Sequence, residues 1–463
     1  MRKEHDFLGE LEVADDVYYG VQTTRAIENF KITGQTIDPD FVQAFAKVKK
    51  AAAMANMATG RLEKEVGEPM IQAADEIIAG KLLDQFPVDP IQGGAGTSVN
   101  MNVNEVICNR ALEIIGKPKG SYDIISPNNH ANMAQSTNDS FPTSIKVCLS
   151  HKAKKLTASL DRLATELEKK SVEYKDILKM GRTHLQDAVP ITLGQEMGSY
   201  ASSVRRGIDR INHAVDGIHV INMGGTAVGT GLNAEPEYIT KVAETLTEVT
   251  GETYKTAENI IDATNNTDGF SDVSSAMKTT ALVLIKMAND FRLMASGPRC
   301  GLNELKLPKR QPGSSIMPGK VNPVAAEVAN QASFLAIGLD TTVMLAASAG
   351  QLELNVMEPV ITYALYTQMK VMTNACDTLR KKLVEGVTAN TERCKDYVMN
   401  SIGIVTLLKP HFGYQKCAAI AKEGYTTGKS LHQIVVDEQH LMTQAEWDAT
   451  FNTQNLIHPK FVK

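Results

Sequence analysis

The segment from Gly313 to Pro323 concentrates side chains that could do chemistry. It reads GSSIMPGKVNP and places two hydroxyls, a lysine and an asparagine among two glycines and two prolines. Glycine frees the backbone for unusual conformations, and proline interrupts helices and strands. The segment is therefore predicted to be a shaped loop, and such loops often carry the reactive side chains of enzymes. The alternative interpretation is a surface turn that happens to be polar.

Three other segments interrupt the surrounding sequence with small polar residues. They run from Gly93 to Asn102, from Gln135 to Asp139 and from Gly181 to Asp187. Each has a simpler explanation when taken alone: the first could be a turn, the second a helix cap, and His184 in the third a structural histidine. The first also lacks the Gly-Lys-Ser/Thr ending of a phosphate-binding P-loop. Only their joint occurrence with the loop at 313–323 indicates a site.

The side chains of these four segments favour the binding of a small dicarboxylate. Lysine, hydroxyl and amide donors can hold carboxylate oxygens, and the same donors can stabilise an anion that develops beside a carboxylate. The segments contain no cysteine–histidine pair, no paired carboxylates for acid–base work and no metal-ligand spacing. The sequence also shows no cofactor fingerprint, so neither a metal nor a cofactor is predicted.

Long helices are predicted to position these loops. Apolar residues recur every three or four positions in several stretches between residues 140 and 395. Three stripes are formed by Leu149, Ala153, Leu156, Leu160, Leu163 and Leu167, by residues from Leu193 to Ile218, and by residues from Met277 to Ala295. Two further helices are predicted from Ala325 to Ala347 and from Val356 to Leu383. Helices of this length, with a seam of period near 3.5, pack as a bundle.

The sequence predicts an all-α fold with three domains. Residues 1–138 form a mostly helical domain with helices near 39–59 and 62–80, residues 139–393 form the central five-helix bundle, and residues 394–463 form a small helical domain. Small residues occur on more than one face of the bundle helices, which indicates burial on several sides. Bundles of several subunits are therefore expected to pack together over a large interface.

Composition excludes several classes of protein. The chain has 463 residues, 43% of them hydrophobic and 22% charged, and a net charge of −5, so it lacks the basic footprint of a nucleic-acid-binding protein. Its first sixteen residues have no apolar run, and no segment reaches the ~18 apolar residues of a membrane span. The six cysteines show no paired spacing and are predicted to be buried thiols. A cytoplasmic protein is predicted.

The loop at 313–323 resembles the signature of the aspartase/fumarase superfamily. GRTHLQD at 181–187, GTGLN at 229–233 and ELNV at 353–356 are similar to other landmarks of that family, in the family's order. The Gly-Lys-Val form of the loop is similar to the aspartase and fumarase branches rather than to the argininosuccinate and adenylosuccinate lyase branches. The resemblance implies three largely helical domains and a homotetramer with a central twenty-helix bundle. It also implies active sites that are each assembled from three subunits.

Four features resemble the aspartase branch and one resembles the fumarase branch. GGAGTS at 93–98, STN at 136–138, YYGVQT at 18–23 and MEP at 357–359 are similar to aspartases, whereas GGTA at 224–227 is closer to fumarases. The resemblance thus implies reversible anti elimination of ammonia from L-aspartate to give fumarate. The alternatives are hydration of fumarate to L-malate, a lyase for a related amino acid and, remotely, a non-catalytic structural protein on the same fold.

The resemblance also implies roles for individual residues. Ser314 would be the general base that removes the proton beside the β-carboxylate, giving an enediolate (aci-carboxylate), with help from Lys320 and nearby backbone N–H groups. His184 and Asn138 would lie near the leaving amine, with Glu327 orienting His184. Whether His184 acts as a general acid or only positions the substrate stays open. The β-carboxylate would be held by Thr97, Ser136, Thr137 and Ser315, and the α-carboxylate by Thr183, Met317, Lys320 and Asn322.

Overall fold

The computed structural model describes residues 1–452 together with Asn455 and Ile457. Most of these residues are helical, which confirms the all-α prediction. The α-helices along the chain are α1 Val21–Asn29, α2 Pro39–Ala58, α3 Lys64–Ile78, α4 Thr97–Ile114, α5 Thr137–Glu173, α6 Leu193–Gly217, α7 Pro236–Thr250, α8 Ile260–Asn265, α9 Asp268–Met294, α10 Val324–Ala347, α11 Glu358–Lys382, α12 Thr391–Asn400, α13 Lys409–Thr427 and α14 Gln444–Thr450.

Five helices are much longer than the average of three turns in globular proteins. They are α5 with 37 residues, α6 with 25, α9 with 27, α10 with 24 and α11 with 25. The leucine stripe predicted on α5 is buried throughout, and the stripes on α6 and α9 are buried at nearly every position. The predicted bounds differ from the observed ones by a few residues, because helix ends depend on capping contacts that periodicity does not report.

Within the residues that the structure describes, four two-stranded sheets accompany the helices; they were not predicted. The antiparallel pairs are β1 Arg2–Asp6 with β2 Gly9–Val13, β3 Leu178–Thr183 with β4 Gln186–Thr192, and β7 Leu305–Lys306 with β8 Thr388–Ala389; β5 Val220–Ile221 and β6 Lys255–Thr256 run parallel. Strands of two to seven residues are too short to show a clear alternating pattern in the sequence. The hairpin of β3 and β4 matters most, because it carries Thr183 and His184.

The backbone divides into two compact units. The first consists of residues 1–158, 209–281 and 334–373, and the second of residues 159–208, 282–333 and 374–463. Phe41 and Phe141 meet edge to face in the core of the first unit, with ring centroids 5.4 Å apart. In the second unit Met180 and Trp447 belong to a buried cluster that includes the last helices. The division into three domains stays a prediction.

The sequence predicts that the cysteines are buried and that no segment spans a membrane. Five of the six cysteines are buried and all six are free, but Cys300 is exposed, contrary to the prediction, because it lies in an irregular loop rather than on a helix. Within the described residues, none of the helices has both the length and the apolar character needed to cross a membrane.

Candidate active site

Two helices of the first unit begin at residues predicted to hold the β-carboxylate. Helix α4 begins at Thr97 and α5 begins at Thr137. Asn100, one turn into α4, donates a hydrogen bond of 3.1 Å to Thr137 Oγ1, so the two N-termini lie together. Helix N-termini favour anions because their first N–H groups lack helical partners and the helix dipole is positive there. The structure therefore brings four predicted site residues to one corner that suits a carboxylate: Thr97, Ser136, Thr137 and Asn138.

The glycine-rich run before α4 shapes this corner. Gly94, Ala95 and Gly96 have φ values of 88°, 54° and 93°, in the left-handed region. A Cβ at position 96 would lie 2.3 Å from the ring of Phe141, so only glycine fits there. The Thr97 hydroxyl donates to the Gly94 carbonyl at 2.8 Å, and the turn interpretation of this run is thereby confirmed. Thr97 itself remains exposed at the tip of the helix.

Ser136 caps helix α5, which confirms the capping interpretation of its segment. Its Oγ accepts the backbone N–H of Asn138 at 3.2 Å, and the Asp139 carboxylate accepts the N–H of Ser136 at 2.9 Å. A capping residue keeps its hydroxyl at the helix terminus, next to the N–H groups that an anion would contact. The structural role and a role in carboxylate binding are therefore compatible.

Two charged residues to which the sequence analysis assigned no role lie beneath this corner. Asp139 is fully buried, and desolvation raises its pKa to about 7. Lys49 on α2 is 3% exposed; burial lowers its pKa to about 7, and its ammonium donates to Asn132 Oδ1 at 3.2 Å and Gln135 Oε1 at 2.9 Å. Asn132 Oδ1 also accepts from Asn100, so this network extends to the predicted site. A lone lysine in a helical pattern gives no sequence signal for such a position.

The loop at 313–323 belongs to the second unit, and two hydrogen bonds join its ends. The Gly313 N–H donates to the Lys320 carbonyl at 2.7 Å, and Asn322 Nδ2 donates to the Gly313 carbonyl at 2.8 Å. A Cβ on Gly313 would lie 2.7 Å from the Asn322 nitrogen, so this closure requires glycine. Asn322 thus has a structural contact in addition to its predicted role.

The Ser314 hydroxyl faces two backbone donors inside this loop. Its Oγ accepts the N–H of Met317 at 3.0 Å and the N–H of Ile316 at 3.2 Å. Such donors stabilise a negative charge on the oxygen, which is the help that a serine base requires. Ser315, Met317 and Lys320 are exposed, and within the described residues the Lys320 ammonium pairs with no carboxylate. These exposed groups leave the loop free to contact a substrate.

His184 lies in a strained turn at the tip of the β3–β4 hairpin. Thr183 pairs with Gln186, so His184 and Leu185 form the two-residue loop, with φ values of 56° and 58°. Such turns prefer Asn-Gly, because other residues cost about 1–2 kcal/mol each in the left-handed region. Backbone strain of this kind is common at functional sites. Both side chains are exposed, and Thr183 is exposed beside them.

A buried ionic network holds this hairpin and was also missed from the sequence. The Glu304 carboxylate is fully buried and accepts from Arg182 at 2.8 Å, while the Lys179 ammonium lies 3.4 Å from its other oxygen. Lys179 also donates to Glu196 at 2.7 Å. Arg182 and Lys179 both lie on β3, so the network fastens the strand that leads to His184. A glutamate in a short loop gives no signal of this partnership before the fold is known.

The predicted contact between His184 and Glu327 does not form within the chain. Glu327 lies in the first turn of α10 and is partly buried. The described residues show no hydrogen bond or ion pair between these two side chains. The same part of the chain contains no group of three or more His, Cys, Asp or Glu residues placed to hold a metal ion.

Comparison with known families identifies the class of protein. Residues 9–338 match the family described as Lyase, and residues 404–458 match the family described as Fumarase C C-terminus. The chain therefore belongs to this lyase family, and the resemblance to the aspartase/fumarase superfamily is confirmed.

Curated relatives match the chain over nearly its whole length. The chain is 51% identical over 459 residues to an aspartate ammonia-lyase of Bacillus sp, covering 99% of this chain and 98% of the relative. It is 49% identical over 464 residues to the aspartate ammonia-lyase of Escherichia coli (strain K12), covering 100% of this chain and 97% of the relative.

Solved structures of related proteins share the fold. A protein of Brucella melitensis described as fumarate lyase:delta crystallin, bound to cobalt, has 42% identity and a TM-score of 0.95, covering 97% of this chain and 98% of that one. A class II fumarase from Schistosoma mansoni has 35% identity and a TM-score of 0.93 with the same coverage. The predicted aspartase/fumarase fold is thus confirmed.

Proposed function

We propose that this chain is an aspartate ammonia-lyase, a carbon–nitrogen lyase that reversibly eliminates ammonia from L-aspartate to give fumarate. The observation that carries the proposal is identity near 50% with aspartate ammonia-lyases over essentially the full chain. The solved fumarase is more distant, at 35% identity. The helix N-termini and the closed loop described above supply groups suited to the reaction.

The β-carboxylate of aspartate is proposed to bind at the N-termini of α4 and α5. Removal of the neighbouring carbon-bound proton gives an enediolate, which places a second negative charge on this group. Thr97, Ser136 and Thr137 lie where the two helix ends meet, and hydroxyl and N–H donors there stabilise the charge as it develops. Ser315 is proposed to add a hydroxyl from the loop. These donors stabilise the doubly charged enediolate more than they stabilise the carboxylate of the bound substrate, and such a difference is what raises the rate of turnover.

Ser314 is proposed to take the proton. Its Oγ is supported by the N–H groups of Ile316 and Met317, which lower the cost of the alkoxide form. The electron pair of the broken C–H bond enters the carboxylate as the enediolate, and its return forms the double bond while the C–N bond breaks. The amine leaves on the opposite face with the electrons of that bond, and the proton stays on Ser314 until it is released.

The α-carboxylate is proposed to bind Thr183, Lys320 and Asn322, with Met317 shaping the wall. Lysine provides a charge-assisted contact, and the exposed Lys320 ammonium is available for it. One N–H of the Asn322 amide is already bound to the Gly313 carbonyl. Its second N–H remains available for a carboxylate oxygen.

Asn138 and His184 are proposed to lie at the leaving amine. The amine of aspartate is already an ammonium, so it can leave without a general acid. Since His184 and Glu327 make no contact within the described chain, we propose that Glu327 of one subunit orients His184 of another.

The assembly is proposed to be a homotetramer in which three subunits contribute to each active site. Helix α10 exposes five large apolar side chains, each at least 46% accessible in the single chain: Val328, Phe334, Leu335, Met344 and Leu345. Soluble proteins rarely leave such a surface uncovered, and packing against other copies would bury it. Leu185 and Ile316 are likewise exposed at 70% and 83%.

The remaining partners and the location are also proposals. L-Aspartate, fumarate and ammonia are the small molecules involved, and the net charge of −5 gives no basis for nucleic-acid binding. Six free cysteines suit a reducing, cytoplasmic compartment. No cofactor or metal is needed in the proposed steps, since a side chain or backbone group is assigned to each.

Fumarate absorbance tests this function directly. Fumarate is expected to accumulate when purified protein receives L-aspartate as sole substrate, and not when it receives L-malate. Turnover of L-malate alone would favour fumarate hydration, which is suggested by the fumarase-like GGTA at 224–227. Turnover of neither, by protein that remains folded, would favour a structural role on this fold.

A further inference from the structure

The loop 222–231 is fastened to the N-terminus of α5 by the Asp139 carboxylate and by Asn222, whose Nδ2 donates to the Asn138 carbonyl at 3.0 Å. Asp139 Oδ2 accepts the N–H groups of Gly224 and Thr226, both at 3.1 Å. Asp139 Oδ1 accepts the N–H of Ser136 at 2.9 Å. The carboxylate is fully buried, so the three hydrogen bonds replace its lost hydration. Asp139 therefore joins the loop to the helix end that carries the proposed substrate-binding residues.

The backbone of this loop is shaped to receive an anion. Gly224 and Thr226 have φ values of 86° and 56°, and N–H groups in such alternating conformations converge to form an anion-binding nest. A positive φ is unusual for a β-branched residue such as Thr226, whose side chain is 5% exposed. Its hydroxyl has no hydrogen-bond partner in the described part of the chain. The N–H of Thr226 donates to the Asp139 carboxylate, and this contact supports the strained conformation.

The same loop determines the orientation of the Asn138 side chain. Asn138 Nδ2 donates to the Ala227 carbonyl at 2.7 Å. A carbonyl oxygen only accepts hydrogen bonds, so the nitrogen of the amide, not its oxygen, faces Ala227. The Asn138 Oδ1 is then turned the other way, and within the described residues it accepts no hydrogen bond. Asn138 therefore presents an acceptor at the position proposed for the amine.

We propose that Asp139 is a positioning residue that, through the loop 222–231, holds the Asn138 amide with its oxygen towards the ammonium of the substrate. The inference rests on the proposed function. An ammonium has three donors and no acceptor, so it binds the amide oxygen and is repelled by the amide nitrogen. Losing control of this orientation weakens the binding of ligands that carry the amine. Dicarboxylates without an amine lose nothing at this contact.

Asp139→Asn separates this role from a general loss of structure. The asparagine oxygen can still accept from Ser136, so the cap of α5 is kept, but its NH₂ group would face the N–H donors of Gly224 and Thr226. The KM for L-aspartate is expected to rise about tenfold or more, the usual scale for a lost hydrogen bond to a charged group. The inhibition constant of succinate, which has both carboxylates and no amine, is expected to change by less than about twofold.

Glu105→Gln is the matched control. Glu105 is also a buried carboxylate, 1% exposed, and it accepts backbone N–H groups from Gly20, Gln22 and Thr23. It makes no contact with the loop 222–231 or with Asn138. In this variant the ratio of the KM for L-aspartate to the inhibition constant of succinate is expected to stay at the wild-type value. The inference is overturned if Asp139→Asn changes both constants by the same factor or changes neither.

A second variant reaches the loop from its other side. A Cβ at Gly229 would lie 2.4 Å from the Ile261 Cα, so Gly229→Ala displaces the loop while Asp139 stays intact. The same selective loss of aspartate affinity is expected, and an unchanged ratio counts against the inference even if Asp139→Asn does not fold. Wild-type protein is assayed first, and an absence of L-aspartate turnover would contradict the proposed function. If the wild type turns over L-aspartate but the folded variants keep its ratio of aspartate KM to succinate inhibition constant, only the role of Asp139 is contradicted.

Discussion

The Oγ of Ser314 lies 3.0 Å from the backbone nitrogen of Met317 and accepts its N–H. The hydrogen bonds at the base of the loop determine the local backbone path and so place this donor beside the hydroxyl. A donor already in place costs no reorganisation when charge develops on the oxygen. The serine thus has backbone support for a role that an isolated hydroxyl performs poorly.

Ser314→Ala is expected to lower kcat by at least about 10², because it removes the proposed base while keeping the loop closure. The measurement is the initial rate of fumarate formation from L-aspartate, with circular dichroism to check folding. Ser202→Ala, at an exposed serine on α6, is the control and should retain wild-type activity. Near-wild-type turnover by Ser314→Ala would remove Ser314 from the role of base.

Lys320→Ala is expected to raise the KM for aspartate and for fumarate alike, by roughly tenfold to a hundredfold. The reason is the loss of one charge-assisted contact to the α-carboxylate, which both ligands carry. Steady-state kinetics in both directions measure it. Lys309→Ala removes an exposed lysine that lies shortly before the same loop and should change either constant by less than about twofold. Unchanged constants in Lys320→Ala would contradict the assignment.

Stability towards acid is expected to depend on Glu252. Burial raises the pKa of its carboxyl, but hydrogen bonds and charge from His219, Lys154 and Ser150 outweigh burial and lower the pKa to about 2 from an ordinary 4.5. Because the folded-state pKa is the lower one, Glu252 stabilises the fold above about pH 4.5, and this contribution is lost as the pH falls towards 2.

Thermal unfolding midpoints between pH 7 and pH 3 measure this effect. Glu252→Gln should be less stable than wild type at neutral pH, and the difference should shrink as the pH falls through this window. Glu248→Gln, at an exposed position on α7, should follow the wild-type profile. A constant difference between Glu252→Gln and wild type at every pH would contradict the prediction.

Leu345→Glu is expected to dissociate the proposed tetramer. Leu345 on α10 is 61% exposed in the single chain, so the isolated fold tolerates a charge there, whereas a buried subunit interface would not. Light scattering coupled to size exclusion gives the mass of the particle. Lys64→Glu, at the exposed first residue of α3, is the control and should leave the mass unchanged. If Leu345→Glu keeps the wild-type mass at micromolar concentration, that result counts against a subunit interface at this face of α10.

Part of the local structure around the proposed site was predictable, because several of the proposed residues lie in local motifs. Glycine and proline indicated the shaped loop around Ser314, the glycine-rich run indicated the turn before α4, and the Gln135–Asp139 segment indicated the start of α5. The roles of Asp139, Lys49 and Glu304 were not predicted, because they depend on partners far away in the chain. Asp139 meets Gly224 across 85 positions, and Glu304 meets Arg182 across 122. Local patterns hold no information about such pairs.

The sequence by itself determined the helical architecture, the buried stripes of the long helices, the shaped loop and the family, because helix period and turn chemistry are local properties of the chain. Only the tertiary structure decided which helix ends meet, how the Asn138 amide is oriented and what holds the hairpin of His184. These features depend on buried charges and backbone donors that become neighbours only after folding. Burying such groups costs free energy unless they gain hydrogen-bond or ionic partners, and the fold determines which residues become those partners.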